Sequence, residues 1–194
     1  MLNEAADGSS QLPDFQRGWV WDDEHVCSLL ASISLGYPIG AVMMLRGGGD
    51  QVRFKQRPLE GAPASAQESA DRLILDGQQR LTSLFQSLSL DRPVRTRDAR
   101  KREIERWHYN DMQQALDPHA DREEAVVSLP ADRLVKRFGR DVIGDYSSPE
   151  REYKQMIFPL AKVFDTDEWM EDCRSFGAMT RTGSDSRTGS IEKL

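Results

Sequence analysis

Five residues that together could form a phosphate site follow a short apolar segment of the chain. Residues 73–75 (Leu-Ile-Leu) end at Asp-Gly-Gln-Gln-Arg, residues 76–80, here termed the corner motif. Apolar residues then recur at helical spacing, at Leu81, Leu84, Phe85 and Leu88. The pattern predicts a strand-to-helix corner, where the free N–H groups and the dipole of a helix N-terminus favour an anion. Gly77 would let a ligand approach the backbone, and Arg80 is a permanent fork-shaped phosphate donor.

Two residues of the corner motif have alternative roles. The carboxylate of Asp76 could orient a water, bind a metal ion or act as a base. It could equally cap the following helix in a common turn. Arg80 could neutralise phosphate, or it could pair with Asp76 as a structural bridge. The residues alone leave these alternatives open.

A second polar and aromatic group lies upstream. Phe-Gln-Arg at residues 15–17, here the upstream motif, precedes Trp19 and Trp21. An aromatic ring beside an amide and an arginine suits stacking on a base, and the two tryptophans are expected in the core. Gln16 could bind a ligand or satisfy backbone groups.

Taken in order, the two motifs resemble the N-terminal domain of GmrSD-type restriction endonucleases, over roughly residues 11–165. The resemblance implies an α/β (α+β) domain of the ParB/sulfiredoxin-like fold, with a small mixed sheet and flanking helices. It also implies a nucleoside triphosphate with Mg²⁺ as the bound cofactor, with hydrolysis left open. The chain is therefore an NTPase candidate.

The resemblance also implies roles for individual residues. Asp76 and Arg80 match catalytic positions, and Asp76 would also hold Mg²⁺. The nucleotide would be bound by Gly77, Gln78, Gln79, Arg80, Gln16 and Arg17. A DNA-facing surface would consist of Phe15, Gln16, Arg17, Arg95, Arg97 and Arg100.

The leading functional hypothesis is a nucleotide-binding regulatory or sensor domain of a DNA-restriction, phage-defence system. The alternatives are a non-enzymatic module that recognises modified DNA, and a degenerate protein-interaction domain. None of His25, His108 and His119 lies in a His-Asn-His context. DNA cleavage is therefore expected from a separate His-Asn-His nuclease domain or subunit.

The composition indicates which binding partners and which cellular location to expect. The 194 residues carry a formal net charge of −6, which argues against coating nucleic acid by bulk electrostatics. No apolar run approaches the length of a membrane span, so no membrane partner is expected. Cys27 and Cys173 are isolated in the sequence, which indicates reduced thiols in a cytoplasmic protein and no Cys/His zinc site.

The predicted organisation is one domain between two disordered ends. Residues 1–11 are expected to be disordered, residues 12–176 to form the domain, and residues 177–194 to be a low-complexity tail. A helix should follow Asp22, and a strand should cover residues 39–45. The triple glycine at 47–49 predicts a hairpin leading to an edge strand at 51–55, and residues 56–71 a long loop.

The second half of the chain contains a densely basic stretch. Residues 91–105 are expected to be a solvated linker, with DNA contact as the alternative. Further on, the sequence predicts a short helix at 111–116, capped by Asn110 or Asp111. A short apolar strand is expected at 156–160, followed by a helix at 165–174.

Overall fold

The computed structural model describes residues 1–46, 54–63 and 70–188. The helices are α1 Leu2–Asp7, α2 Asp23–Ser34, α3 Gln78–Ser89, α4 Met112–Leu116, α5 Arg122–Ala125, α6 Pro149–Gln155 and α7 Thr166–Thr188, with a 3₁₀ turn at Leu160–Lys162. The strands are β1 Ser10–Pro13, β2 Met43–Arg46, β3 Gln56–Arg57, β4 Arg72–Asp76, β5 Val94–Arg97, β6 Glu103–Asp111, β7 Val126–Pro130, β8 Leu134–Arg137, β9 Asp141–Asp145 and β10 Ile157–Pro159.

The first sheet carries the corner motif. Its strand order is β2-β4-β1-β3, with β1 and β4 parallel and the other pairs antiparallel. Helix α3 packs on this sheet because its apolar stripe meets inward-facing strand residues. The resulting core contains Ala5, Leu12, Leu59, Ile74, Leu81 and Phe85.

The second sheet is built around the long strand β6. Strands β5, β7 and β10 all pair antiparallel with β6: β5 pairs with residues 103–106, β7 with residues 106–110 and β10 with residues 109–111. Strands β8 and β9 form a separate hairpin. Helix α2 joins the two halves, since its buried residues Val26, Leu29 and Leu30 share one cluster with Leu84 of α3 and Val126 of β7. The mixed α+β architecture, with small sheets and flanking helices, agrees with the predicted class.

The N-terminal segment is ordered, which corrects the prediction for residues 1–11. Helix α1 forms there, and Ala5 is only 3% exposed in the core with Leu12 and Phe85. The spacing of Leu2, Ala5 and Ala6 is that of one helical face. Because polar residues stand between them, the sequence does not indicate this short amphipathic helix, which is stabilised by packing against the core.

Two further segments differ from the predictions. Helix α7 continues to Thr188, through much of the expected tail, and residues 189–194 lie outside the described residues. The basic stretch is a hairpin of β5 and β6. In β5, Val94 and Thr96 are buried while Arg95 and Arg97 are exposed, so a period of two was masked by the density of arginine.

Other predicted elements are found near their expected places. Helix α2 and the β4–α3 corner are confirmed, and Asp111 caps α4 by accepting the N–H groups of Gln113 and Gln114. Strand β2 is shorter and more exposed than predicted. The hairpin at residues 47–50, most of the strand at 51–55 and part of the long loop lie outside the described residues. Within the described ranges, no helix is long and apolar enough to cross a membrane.

Candidate functional site

The corner motif forms an uncapped helix start. Gly77 is the N-cap of α3 with φ +92°, a left-handed conformation that favours glycine. A Cβ at this position would lie 3.0 Å from Cγ2 of Val42. No side chain in the described part of the chain caps α3, so the alternative in which Asp76 is the helix cap is wrong. The N–H groups of the first turn therefore have no side-chain acceptor within residues 1–46, 54–63 and 70–177.

The two glutamines of the corner motif bind the backbone of the upstream segment. Nε2 of Gln78, a residue only 7% exposed, donates to the carbonyl of Arg17 over 2.7 Å. Gln79 donates to the carbonyl of Gly18 over 3.2 Å and accepts the N–H of Val20 over 2.9 Å. Both side-chain amides thus hold residues 17–20 against the start of α3.

Gln16 makes the reciprocal contacts. Its Nε2 donates to the carbonyls of Ile74 and Leu75, at 2.8 and 2.9 Å. Its Oε1 is buried and has no hydrogen-bond partner among the described residues. The two motifs are therefore one hydrogen-bonded unit, and Gln16 satisfies backbone groups, one of the two alternatives that the sequence left open.

Arg80 reaches across to a third segment. Its guanidinium donates to the carbonyls of Ile39 and Ala41, over 2.8 and 2.6 Å. It also lies 3.6 Å from the carboxylate of Asp76, which is 72% exposed. Gly40, with φ +91°, lacks the Cβ that would occupy the position of this guanidinium. Arg80 thus positions residues 39–41, and a catalytic role for it stays a prediction.

These contacts border a cleft of about 470 Å³, here the corner cleft. Arg17 and Phe15 are exposed beside it, and the Phe15 ring meets that of Phe54 edge-on at 5.3 Å. The structure therefore brings together every predicted nucleotide-binding residue. The lining consists of Phe15, Gln16, Arg17, Trp21, Leu75, Asp76, Gly77, Gln78, Gln79 and Arg80.

A second cleft of about 660 Å³, here the tryptophan cleft, shares Trp21 with the first. Trp19 and Trp21 are partly buried against the core, as expected, but both also line this cleft. Hydrogen bonds fix both: Trp19 Nε1 donates to Ser83 Oγ, and Thr96 Oγ1 donates to the Trp21 carbonyl, each over 2.9 Å. Five of the six predicted DNA-binding residues thus divide between the two clefts, and Arg100 lines neither.

Only some arginines of the β5–β6 hairpin line the tryptophan cleft. Arg95 and Arg97 line the tryptophan cleft, whereas Arg100 is exposed and lines neither cleft. Nε of Arg95 is 3.1 Å from the carboxylate of Glu105 in an exposed ion pair, an arrangement of small energetic value. Glu103 is also in the lining, so the charges around this cleft balance.

A buried polar cluster around His108 was not predicted from the sequence. The side chain of His108 is 0% exposed; its Nδ1 lies 3.3 Å from Ser87 Oγ and its Nε2 lies 3.1 Å from Asp23 Oδ1. Cys27 belongs to the same cluster. The one local signal was the i, i+4 spacing of Asp23 and Cys27, which places both on one face of α2.

The electrostatics of this cluster favour a charged Asp23 and a neutral thiol. Burial opposes ionisation of Asp23, but hydrogen bonds from His108 and Ser128 outweigh it, and its pKa is lowered. Burial and the neighbouring Asp23 raise the pKa of Cys27 to about 12. Since His108 is inaccessible, the Ser87, His108 and Asp23 alignment cannot act on a substrate as a hydrolytic triad does.

Similarity to known proteins covers nearly the whole chain. An uncharacterized protein of Methanocaldococcus jannaschii is 33% identical over 92 residues, which is 45% of this chain and 16% of that protein. The match thus spans about a sixth of the curated relative. Residues 1–173 match the family model of the GmrSD restriction endonuclease N-terminal domain. The chain therefore belongs to the GmrSD N-terminal domain family.

Proposed function

We propose that this domain binds a nucleoside triphosphate with Mg²⁺ in the corner cleft and acts as a regulatory or sensor domain of a DNA-restriction, phage-defence system. One observation carries the proposal: α3 begins at Gly77 without a cap from any described side chain, beside a cleft of about 470 Å³ that Arg17 also lines. Clefts of this size accommodate small cofactors. A helix N-terminus with an adjacent arginine is a natural phosphate site.

The residues divide into those that would contact the nucleotide and those that position them. Backbone N–H groups at the start of α3 and the guanidinium of Arg17 would receive the phosphates. The exposed carboxylate of Asp76 would bind Mg²⁺, directly or through water. Phe15 would stack on the base. Gln16, Gln78 and Gln79 would act as positioning residues, because their amides already bind backbone groups.

Arg80 would both contact the nucleotide and position neighbouring residues. Two of its five N–H donors are used by the Ile39 and Ala41 carbonyls, which leaves others for a phosphate oxygen. Its proximity to Asp76 would link the metal and the phosphate chain. We propose further that the domain has the ParB/sulfiredoxin-like fold and is located in the cytoplasm. A separate His-Asn-His nuclease domain or subunit would cleave the DNA.

Calorimetric titration of the purified chain with ATP, GTP, CTP and UTP, each with Mg²⁺, tests the proposal. Arg17→Ala is expected to weaken binding about 10- to 100-fold, because a charge-assisted hydrogen bond contributes about 1.5–3 kcal/mol. Arg97→Ala is the matched control, since it removes an exposed arginine from the other cleft and should leave affinity unchanged. The absence of binding of any of the four nucleotides, with DNA present, would rule the proposal out.

The tryptophan cleft favours a second candidate function, recognition of DNA. Two indole rings and two exposed arginines share this cleft, a combination that stacks bases and contacts phosphates. With balanced charges in the lining, binding would depend on stacking as well as on phosphate contacts. The ligand would be DNA with a modified or unpaired base.

The salt dependence of DNA affinity tests this second candidate. Arg95→Ala and Arg97→Ala should each weaken binding and reduce the slope of log affinity against log salt by about 1. Arg100→Ala should change neither, because Arg100 lies outside the cleft. An equal effect of all three variants would indicate diffuse charge along the hairpin, and no affinity at low salt would exclude the DNA-binding function.

A further inference from the structure

We propose that Asp23, Cys27 and His108 form a binding site for a zinc-like divalent transition-metal ion. The carboxylate, thiol and imidazole ligand atoms all lie within 4.8 Å of one another. Asp23 and Cys27 lie one turn apart on α2, and His108 comes from β6. This site is distinct from the corner cleft and does not depend on nucleotide binding.

The ligand types select the class of metal. One nitrogen, one sulfur and one oxygen ligand suit Zn²⁺ and chemically similar ions, which accept mixed His, Cys and Asp sets. Mg²⁺ and Ca²⁺ prefer oxygen ligands throughout. In a tetrahedral zinc site the ligand atoms are roughly 3.3–3.8 Å apart, as follows from the usual bond lengths. The Nε2 of His108 and Oδ1 of Asp23, now 3.1 Å apart, need only a small side-chain rotation.

The atoms of His108 and Asp23 that would not bind the metal have hydrogen-bond partners, as is usual for metal ligands. Nδ1 of His108 faces Ser87 Oγ at 3.3 Å, while Oδ2 of Asp23 accepts from Ser128 Oγ over 2.7 Å. These contacts hold the outer atoms of both ligands and leave Nε2 and Oδ1 turned towards each other. Bound imidazoles characteristically donate their other N–H to a polar partner, and Ser87 would accept it here.

The hydrogen bond between His108 and Asp23 does not explain why the Cys27 thiol lies beside these two side chains. Among the described residues, no hydrogen bond to the Cys27 sulfur is found, although the thiol lies within the same cluster. Arg106 is also present, with Nε 3.8 Å from Oδ2 of Asp23. That oxygen is the one bound by Ser128, so the guanidinium lies on the outer side of the carboxylate and Oδ1 is left for the metal.

Binding would release one proton. The S–H bond of Cys27 breaks, the sulfur binds the metal, and the proton passes to solvent. Bound through Nε2, the imidazole of His108 would carry its proton on Nδ1 and donate it to Ser87. Thiolate and carboxylate then offset the two charges of the metal, with a water as the fourth ligand. Because the partly buried Asp23 and Cys27 are on α2 and His108 is on β6, the ion would fasten the helix to the second sheet.

Co²⁺ titration of the full chain, first stripped of metal with a chelator, tests the inference. We expect one equivalent to bind with a thiolate-to-cobalt absorption band in the near ultraviolet, and Zn²⁺ to displace it. Cys27→Ser should abolish the band. Cys173→Ser is the matched control, because it removes the other cysteine and should leave the band intact.

Ser87→Ala provides an independent test of the outer hydrogen bond. Loss of such a partner is expected to weaken Co²⁺ and Zn²⁺ affinity about 10- to 100-fold while the band remains. Unchanged affinity would contradict the assigned arrangement. Absence of a thiolate band in the wild-type chain would overturn the whole inference, whether or not Cys27→Ser folds. A band lost in Cys173→Ser and kept in Cys27→Ser would do the same.

Discussion

The side-chain amide of Gln78 donates a 2.7 Å hydrogen bond to the backbone carbonyl of Arg17, 61 residues earlier in the chain. Gln16 returns the contact by binding the carbonyls of Ile74 and Leu75. The upstream motif and the corner motif are therefore two halves of one folded unit. The polar side chains that suggested ligand chemistry also build the cleft in which that chemistry would occur.

Removing the Gln78 amide is expected to destabilise the fold. Gln78→Leu would remove the shorter of two hydrogen bonds to the Arg17 carbonyl and leave the one from Arg57 at 3.2 Å, at a cost of about 0.5–1.5 kcal/mol. Urea unfolding measures the change. Gln113→Ala is the control, because Gln113 is exposed on α4. Equal stability of Gln78→Leu and the wild type would mean that the hydrogen bond is exchanged for water without loss.

Gly40 is expected to be sensitive to a single added methyl group. Gly36 and Gly40 both have positive φ, but only at Gly40 would a Cβ meet another group, the guanidinium of Arg80. Alanine at either position incurs the strain of the left-handed region, about 1–2 kcal/mol. Gly40→Ala should be the more destabilising, because Arg80 must also leave the carbonyls of Ile39 and Ala41. Thermal unfolding of the two variants side by side gives the difference.

The N-terminal helix is expected to contribute to global stability. Ala5→Asp would place a carboxylate in the core beside Leu12 and Phe85, and an unpaired buried charge costs several kcal/mol or unfolds the segment. Asn3→Asp adds the same charge to the exposed face of α1. We expect a large fall in the urea midpoint for Ala5→Asp only. If both variants unfold at the same midpoint, α1 does not contribute to the cooperative core.

The corner was predictable because its signals are local. Three apolar residues, a glycine and a helical repeat specify a strand, a turn and a helix within about 16 residues. The Asp111 cap is of the same kind. The sequence does not predict β5, because arginines fill its exposed positions and hide the alternation of Val94 and Thr96.

The site was less predictable, since it depends on long-range contacts. The sequence indicated that Gln16, Gln78, Gln79 and Arg80 would form hydrogen bonds, but amide and guanidinium groups bind backbone carbonyls as readily as phosphate. Only the fold decides between them. The cluster of Asp23 and His108 was invisible for a similar reason, because 85 residues separate the two side chains.

Glu152 is a buried carboxyl in the second half of the fold. It accepts hydrogen bonds from the Tyr109 hydroxyl over 2.9 Å and from Arg133 over 3.4 Å. The same guanidinium stacks 4.2 Å from the centre of a Trp107 ring. Burial raises the pKa of Glu152, although Tyr109 and Arg133 act in the opposite direction.

Glu152 is therefore expected to impose a pH dependence on stability. A raised pKa means that the folded state binds more protons than the unfolded state between the two pKa values. Stability should thus fall as pH rises from the ordinary carboxyl range through the folded pKa of Glu152, and then level off. In Glu152→Gln the free energy of unfolding should lose the part of its fall with pH that comes from this carboxyl, even if the variant is less stable than the wild type at every pH. Urea unfolding from about pH 4 to about pH 8 measures the wild-type-minus-variant difference. The exposed Glu124→Gln serves as control, and parallel curves for Glu152→Gln and wild type would contradict the raised pKa.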